Sequence, residues 1–261
     1  MPKKLGETLR STRALIAYLT VGDPLTWKEE VIKVLASSGV DALEFGIPTS
    51  TAKYDGPTIR ASYRRALRSG VDEKRALSLI KNVKGLKDSI LFTYYDVALA
   101  CGLENLMGSA VEADVECVLF PDLLIDYLES LEDYVKLCGK YNLEHAFFIT
   151  SCFPHRLIAK LARLEPSFIY LGLMASSGIL LPIAINRNIS VVRGLVGETP
   201  LLVGFALNSP RQVSICVSSG ADGVVVGSAI LKLIEGGAHG IEKLKSFIAG
   251  LKEALLEGHD G

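Results

Sequence analysis

The chain has 261 residues and a formal net charge of −1, because 28 Lys and Arg residues nearly balance 29 Asp and Glu residues. That balance excludes a strongly basic surface, so neither nucleic acid nor an anionic membrane is expected as the main partner. The mean hydropathy of +0.33 is high, yet the longest clearly apolar run spans only about eight residues, and a membrane-spanning helix needs roughly 20. The N-terminus is charged and lacks an apolar segment of signal-peptide length. We therefore expect a cytoplasmic protein with a large apolar core.

The cysteines and histidines show no pattern of a disulfide framework or a metal site. Five cysteines lie far apart without a Cys-x-x-Cys pair, and the four histidines have no metal-ligand spacing. An odd number of cysteines without framework spacing argues against structural disulfides. We expect reduced, mostly buried thiols, histidines on the surface, and no bound metal.

Short apolar runs alternate along the chain with longer helical patterns. The runs are continuously apolar, which is typical of strands covered on both faces, as in a parallel sheet. The predicted strands are Ala14–Thr20, Ala42–Phe45, Ile90–Tyr94, Val115–Phe120, Ala146–Thr150, Phe168–Leu171, Leu201–Val203 and Gly223–Val226. This number of strands, alternating with helices across about 250 residues, predicts an α/β fold of the (β/α)8 TIM-barrel class.

Helical patterns lie between these strands, and glycines mark several helix ends. The clearest patterns cover Thr26–Ser38, Leu124–Leu137, Arg156–Leu164 and Pro210–Ser219. Gly39, Gly139 and Gly220 are predicted to end helices, because glycine adopts the left-handed conformation most easily. An open doubly wound sheet is the competing fold, but residues 20–24 (TVGDP) are not its glycine-rich fingerprint. Without a linker or a composition shift, we predict one barrel domain over residues 1–261 with a short N-terminal extension.

The second predicted strand carries a carboxylate in apolar surroundings. In a barrel of this class the active site lies at the carboxyl ends of the strands. Glu44 lies between Leu43 and Phe45, where burial of a charge costs free energy. Burial would raise the pKa of Glu44 and favour an acid/base role. The alternative is a structural glutamate paired with a Lys or Arg of the barrel.

A second carboxylate lies eleven residues further on. Asp55 falls in the loop after the second strand, just before a helix that starts near Pro57. By itself Asp55 is typical of a turn or a helix cap. Its closeness to Glu44 in one βα unit instead predicts a pair of acid/base groups in different environments.

Small residues follow the last three strands. Barrels often bind phosphate with the loops after strands seven and eight and with the N-terminus of a short helix, where backbone N–H groups approach the anion. Ordinary turns that need glycine are the alternative interpretation. The candidate phosphate-binding residues are Ser177, Gly178, Gly204, Ala206, Gly227 and Ser228.

Several sequence blocks together resemble the α subunit of tryptophan synthase. The resemblance runs from Arg13 to about Glu253, and the version of the loop at residues 52–57 (AKYDGP) is similar to the archaeal branch of that family. The matching blocks are LTVGDP (19–24), LEFGIP (43–48), DGPTIR (55–60), TYY (93–95), FPDL (120–123), VGF (203–205) and ADGVVVGSAI (221–230).

This resemblance implies a retro-aldol cleavage of indole-3-glycerol phosphate into indole and glyceraldehyde 3-phosphate, without a metal or an organic cofactor. It implies that Glu44 helps to protonate the indole carbon and takes the proton of the glycerol hydroxyl. It implies that Asp55 accepts the proton of the indole nitrogen and that Tyr170 contacts the catalytic carboxylate. The residues implied to line the indole pocket are Tyr18, Phe92 and Tyr94. Those at the phosphate positions are Gly178, Ala206, Gly227 and Ser228.

The chain departs from the usual pattern of this family in three places. Residues 49–52 (TSTA) lack the usual carboxylate of the loop that meets the β subunit, and residues 174–178 (MASSG) lack a usual cation, although Ser177 keeps a hydroxyl able to anchor Asp55. Ala206 replaces a phosphate-loop glycine. The departures in the first two loops, which normally close over substrate, imply a weak or transient association with the β subunit.

Two other functions are compatible with these residues. One is a protein that mainly activates the β subunit and has weak lyase activity of its own. The other is a different phosphate-binding barrel isomerase or synthase of histidine or tryptophan biosynthesis. Such enzymes place an Asp or Lys on the first strand, whereas this strand ends in Leu19-Thr20.

Overall fold

A computed structural model describes residues 5–83, 85–173, 182–204 and 207–257 of the chain. Eight parallel strands form a closed barrel, in which each strand pairs with the next and β8 pairs with β1. The predicted (β/α)8 barrel is thus confirmed. The strands are β1 Ala14–Thr20, β2 Ala42–Gly46, β3 Asp88–Phe92, β4 Cys117–Leu119, β5 Glu144–Thr150, β6 Phe168–Gly172, β7 Leu201–Gly204 and β8 Gly223–Val226.

Helices connect the strands around the barrel, and a 3-10 turn at Leu128–Ser130 precedes one of them. Nowhere in the described part of the chain does a helix combine the length and apolar content that crossing a membrane requires. The helices are α1 Leu5–Ser11, α2 Glu29–Ser37, α3 Pro57–Arg68, α4 Glu73–Lys81, α5 Tyr95–Cys101, α6 Leu103–Glu112, α7 Leu123–Asp126, α8 Leu131–Tyr141, α9 His155–Ala162, α10 Pro182–Val196, α11 Pro210–Ser218, α12 Ser228–Glu235 and α13 Gly237–Glu257.

The strands are buried on both faces, as their continuous apolar runs predicted. Every residue of β1, β2, β6, β7 and β8 is buried. Burial of apolar surface is the main favourable contribution to folding. The excess of apolar residues in the composition therefore lies in the barrel and in the inner faces of the helices around it.

The bounds of β1 and β8 coincide with the predicted ones, and two other strands differ for a local reason. β3 ends at Phe92 rather than Tyr94, because the Tyr94 carbonyl accepts the first hydrogen bond of α5. β4 begins at Cys117 rather than Val115, because the Val115 amide donates to the Ala110 carbonyl at the end of α6. In both places a helix end takes a backbone group that the strand would need.

The predicted helix Leu124–Leu137 is instead divided into α7, the 3-10 turn and α8. Asp126 ends α7, and Tyr127 has non-helical backbone angles (φ −138°, ψ 39°). The Tyr127 ring packs against Tyr95 with 5.3 Å between ring centroids. The break therefore turns an aromatic side chain inward and leaves Asp126 at a helix end.

The prediction that a glycine ends the helix is wrong at one of the three positions. Gly139 lies inside α8, which continues to Tyr141, and Asn142 takes the left-handed conformation at φ +53°. Asparagine tolerates this conformation better than most residues, so it ends the helix in place of glycine. Gly39 and Gly220 are confirmed, with φ values of +100° and +109°.

The thiols agree with the prediction, but one histidine does not. All five cysteines are free thiols, and Cys117, Cys138 and Cys216 are buried. The prediction of surface histidines is wrong for His145, which is half-buried with its ring against Tyr134 and Phe147. Among the described residues, no group of three or more His, Cys, Asp or Glu side chains is arranged to hold a metal ion.

Helix α1 covers the end of the barrel at which the strands begin. The Gly6 amide donates to the Glu144 carboxylate at the start of β5 at 2.9 Å, and the Thr8 hydroxyl donates to Asp88 at the start of β3 at 3.3 Å. Leu5 is fully buried in this contact. The opposite end, where the strands finish, carries the loops that contain the predicted site residues.

Candidate active site

Glu44 is a buried carboxylate in the middle of β2. Its backbone pairs in register with Tyr18 of β1 and Ile90 of β3, and only 2% of its surface is exposed. Within the described ranges, its Oε1 has no hydrogen-bond partner and no Lys or Arg is paired with it, which argues against a structural ion pair. Burial, together with the negative charge of Asp55, raises the pKa of Glu44 to about 8.

We expect the Glu44→Gln substitution to stabilise the folded chain increasingly as the pH rises from about 4.5 to about 8. The folded pKa of about 8 lies above the ordinary value of 4.5, so the folded state holds this proton more tightly than the unfolded state. The parent therefore loses stability through this pH window, by about 1.4 kcal/mol per pH unit for one group, whereas glutamine does not titrate.

Urea unfolding of both proteins across this pH range measures the difference in the free energy of unfolding. We expect the difference to grow by a few kcal/mol toward pH 8. Parallel curves for the two proteins would show that Glu44 is ionised at little cost in the folded state.

Asp55 lies in the loop between β2 and α3, and its carboxylate faces Tyr94. Gly56 is the N-cap of α3, so Asp55 does not cap the helix. Instead, the Tyr94 hydroxyl donates to Asp55 Oδ2 at 2.8 Å. Asp55 is 7% exposed, and burial raises its pKa to about 6, although the hydrogen bond from Tyr94 and the charge of Arg60 act in the opposite direction.

The two carboxyl groups hold different protonation states at neutral pH. With pKa values of about 8 and about 6, Glu44 carries a proton and Asp55 is ionised between these values. Two carboxyl groups with separated pKa values can act as an acid and a base in the same step. The pair is therefore ready for one proton donation and one proton acceptance.

Buried aromatic rings surround these carboxyl groups. Tyr18 meets Phe92 edge to face at 5.9 Å between centroids, and Phe92 meets Tyr94 in the same way at 6.4 Å. On the other side of the barrel, Tyr170 contacts Phe148 at 5.5 Å. Burial raises the pKa of Tyr170 well above its ordinary value, and the charges of the two carboxylates add to this shift. Thus Tyr18, Phe92, Tyr94 and Tyr170 lie around the same carboxyl pair.

Two tyrosines lie over glycines on the neighbouring strand. In register, Tyr18 is two residues before the partner of Gly46, and Tyr170 is two residues before the partner of Gly204. A Cβ atom at Gly46 would overlap the Tyr18 hydroxyl, and one at Gly204 would overlap the Tyr170 hydroxyl. Glycine at the ends of β2 and β7 is therefore what leaves room for these two rings.

We expect Gly204→Ala to lower the free energy of unfolding by about 1–3 kcal/mol, because the added methyl group must displace a buried ring. The substitution should also displace the Tyr170 ring from the carboxyl pair. The matched control is Gly139→Ala, in the interior of α8, where a Cβ meets nothing within 4 Å. That control should gain roughly 0.5–1 kcal/mol. Equal stability of both variants in thermal or urea unfolding would contradict the expected overlap.

The beginning of α12 lies beside Tyr18. Gly227 is the N-cap of this helix and Ser228 is its first residue. A Cβ at Gly227 would lie 3.2 Å from the Tyr18 Cβ, so the helix N-terminus borders the aromatic wall. Free backbone N–H groups and the helix dipole at such an end attract anions. Of the other phosphate candidates, Gly204 ends β7, whereas Ser177, Gly178 and Ala206 lie outside the described residues.

Asp23, near the start of the loop that follows β1, has a structural role. Its buried carboxylate accepts hydrogen bonds from Arg65 Nη2 at 2.6 Å and from the Ser62 hydroxyl at 2.7 Å, both on α3. Arg65 also reaches Glu235 of α12 at 2.6 Å. These contacts fix α3, whose start follows Asp55. The sequence contains no local signal for them, because the partners lie 42 and 170 residues apart.

Sequence reasoning also missed Tyr63. This residue is fully buried on α3, and burial together with the charges of Tyr18 and Asp55 raises its pKa well above the ordinary value. An aromatic residue on the inner face of an amphipathic helix is typical of a core position. Its nearness to Asp55 depends on the packing of α3 against the barrel.

The model of the tryptophan synthase alpha chain family matches residues 7–255. The chain belongs to this family. A tryptophan synthase alpha chain from Sulfurisphaera tokodaii is 35% identical over 249 residues, which cover 94% of this chain and 98% of that one. The corresponding chain from Saccharolobus solfataricus is 34% identical over 245 residues, covering 92% and 98%. Both relatives are archaeal, in agreement with the resemblance of residues 52–57 to that branch.

Solved structures of the family share the fold. A mutant tryptophan synthase alpha-subunit from Pyrococcus furiosus superposes with a TM-score of 0.79 at 26% identity, covering 92% of this chain and 98% of that chain. A chain of tryptophan synthase from M. tuberculosis, in its aminoacrylate-bound form, gives a TM-score of 0.80 at 24% identity, covering 96% and 98%. At 24% identity, the similarity to the M. tuberculosis chain supports a shared fold only.

Proposed function

We propose that the chain is a lyase that cleaves indole-3-glycerol phosphate into indole and glyceraldehyde 3-phosphate by a retro-aldol reaction. The observation that carries this proposal is the buried carboxyl pair, with Glu44 protonated and Asp55 ionised at neutral pH. Membership of the tryptophan synthase alpha chain family supports the choice of substrate. The reaction needs an acid and a base, and no metal or organic cofactor.

In the first step the indole ring changes to its indolenine tautomer. Glu44 donates its proton to indole C3, and Asp55 accepts the proton of the indole nitrogen. Glu44 is then ionised and Asp55 is protonated. This order fits their pKa values, because the donor starts protonated and the acceptor starts charged.

In the second step the carbon–carbon bond breaks. Glu44 takes the proton of the hydroxyl on the glycerol carbon that is bonded to indole C3. As the bond to C3 breaks, this glycerol carbon becomes the aldehyde carbon. The electron pair of the broken bond enters the indole ring, and Asp55 returns a proton to the nitrogen. Both carboxyl groups end in the states in which they began, so the step balances in atoms, charge and protons.

Buried aromatic side chains form the proposed indole pocket. Tyr18, Phe92 and Tyr94 meet edge to face beside the carboxyl pair, and such rings favour a planar aromatic ligand. Tyr170 lies in electrostatic contact with both carboxylates. We propose that Tyr170 orients the side chain of Glu44.

The phosphate group of the substrate binds at the start of α12 in this proposal. Gly227 and Ser228 offer backbone N–H groups beside Tyr18, and Gly204 lines the neighbouring strand end. Ser177, Gly178 and Ala206 are proposed to complete the phosphate and loop contacts. Uncharged backbone donors at a helix N-terminus suffice for phosphate binding.

The indole product is proposed to pass to a tryptophan synthase β subunit in the cytoplasm. Residues 49–52 (TSTA) offer this partner no carboxylate, so we expect a weak or transient complex. The test of the proposal is an indole-release assay with indole-3-glycerol phosphate, with and without a matching β subunit. Release by the chain alone supports the lyase, and its absence in both arms overturns the proposal.

A further inference from the structure

The two residues that precede Asp55 in the chain both bind one carboxylate of a different βα unit. Lys53 Nζ lies 2.9 Å from Asp126 Oδ2, and the Tyr54 hydroxyl donates to Asp126 Oδ1 at 2.9 Å. Asp126 is the last residue of α7. We call Lys53, Tyr54 and Asp126 the loop latch, because together they attach the loop between β2 and α3 to α7.

A second set of contacts connects the loop latch with the Asp55 carboxylate. The Tyr54 backbone N–H donates to the Tyr94 hydroxyl at 2.9 Å, and that hydroxyl donates to Asp55 at 2.8 Å. The rings of Tyr54 and Tyr94 also stack, with 6.3 Å between centroids and 15° between planes. A continuous path of hydrogen bonds and packing therefore leads from Asp126 through both tyrosines to Asp55.

The charges of the latch are complementary. Lys53 Nζ also lies 3.4 Å from the carboxylate of Asp96 on α5, so one cation is shared between carboxylates from two βα units. Although partial burial opposes it, hydrogen bonding to Lys53 and Tyr54 holds the pKa of Asp126 below its ordinary value. Asp126 is therefore ionised at the pH at which Asp55 is a base.

The exposure of the latch separates its effect on the loop from its effect on global stability. The Lys53 side chain is 40% exposed and that of Asp126 is 30% exposed, and ion pairs at such positions contribute little to folding. The loop they hold carries a carboxylate whose position matters, because a displacement of about 1 Å can cost about a hundredfold in rate.

We propose that Lys53, Tyr54 and Asp126 are positioning residues for Asp55, which hold its loop in the working position by contacts within this one chain. The inference rests on the proposed function, since it assigns Asp55 a proton transfer. It adds that the position of this carboxylate depends on α7, an element that does not contact the reacting atoms in the proposal.

The first test compares Asp126→Ala with a matched control, Glu104→Ala. Glu104 accepts hydrogen bonds from Lys140 Nζ at 2.9 Å and from the Tyr141 hydroxyl at 3.4 Å. Like Asp126, it therefore binds one lysine and one tyrosine, but away from the candidate site. For Asp126→Ala we expect kcat for indole release to fall about tenfold with KM within about twofold. The control should keep the parent kcat, and both should keep the parent thermal midpoint. Parent kcat in Asp126→Ala, or an equal loss in both variants, overturns the inference.

The second test asks whether the latch acts through Asp55. In an Asp55→Asn background, adding Asp126→Ala should lower kcat no further, because the carboxylate to be positioned is absent. Likewise, Tyr54→Phe combined with Asp126→Ala should be no slower than Asp126→Ala alone. A second tenfold loss in the Asp55→Asn background would show that Asp126 acts on something else.

The third test does not depend on activity. Hydrogen exchange of the backbone at residues 51–56 should be several-fold faster in Asp126→Ala than in the parent, because the Tyr54 N–H loses the support of the latch. Unchanged exchange overturns the inference. If the parent releases no indole while exchange behaves as expected, the proposed function fails and the latch stands; if the parent is active and exchange is unchanged, the latch fails alone.

Discussion

The Glu44→Gln variant is expected to release indole at least about a thousandfold more slowly than the parent chain. A positioned acid or base contributes about 10²–10⁴-fold to a rate, and Glu44 carries out one proton transfer in each of the two proposed steps. Glutamine keeps the size of the side chain but can neither donate a proton to carbon nor take one from a hydroxyl. The measurement is kcat for indole release at saturating indole-3-glycerol phosphate.

A control for this result is Glu116→Gln, at the opposite end of the barrel. Glu116 is also a part-buried carboxylate whose pKa burial raises, and it accepts hydrogen bonds from Ser89. Its replacement should leave the rate of indole release within about twofold of the parent, because Glu116 lies at the end of the barrel opposite the active site.

The alternative role as an activator makes a different prediction for the same variant. If the parent shows negligible lyase turnover and Glu44→Gln still fully stimulates a β subunit, the chain is an activator rather than a lyase. If Glu44→Gln merely equals an active parent, Glu44 is not the acid and base of this reaction.

Asp55→Asn is expected to lower kcat about a hundredfold and to change the pH dependence of kcat/KM. In the parent, Asp55 must be ionised and Glu44 protonated, so activity should rise through about pH 6 and fall through about pH 8. Asparagine does not titrate, so the fall of activity below pH 6 should disappear. The fall at high pH should move to lower pH, because the charge that helps to raise the pKa of Glu44 is gone.

Tyr94→Phe is the companion variant for this measurement. It removes the hydrogen bond that holds down the pKa of Asp55, so the acidic limb of the profile should move to higher pH while remaining present. A profile for Asp55→Asn that keeps its acidic limb would assign that limb to another group and would remove the case for Asp55 as the base.

The sequence was sufficient for the barrel because its signals are local. β1 has the predicted bounds because seven apolar or hydroxyl residues in succession form a strand buried on both faces. The errors arose where two elements compete for one backbone group, as at Tyr94 and Val115, or where asparagine replaces glycine, as at Asn142. Those outcomes depend on the packing of helices that single-sequence patterns place only approximately.

The candidate site was predictable in part for the same reason. Glu44 is conspicuous because a charged residue interrupts an apolar strand. Asp55 is close to it in one βα unit. The contacts of Asp126 with Lys53 and Tyr54 span 73 and 72 residues, and they depend on where α7 ends. No periodicity of the sequence encodes that end, since the pattern continues as if one helix ran from Leu124 to Leu137.

Glu44 Oε1, which has no hydrogen-bond partner in the described part of the chain, has a consequence for proton exchange in the site. Between the two pKa values the carboxyl pair contains one proton and one negative charge, and in the proposed cycle it returns to that state at the end of each turnover. A buried pair of this kind need not exchange protons with bulk water during the reaction. Burial of a carboxyl group whose Oε1 has no hydrogen-bond partner among the described residues lowers stability when the group ionises. The same burial, among aromatic rings, keeps the proton of the pair away from bulk water during the proposed reaction.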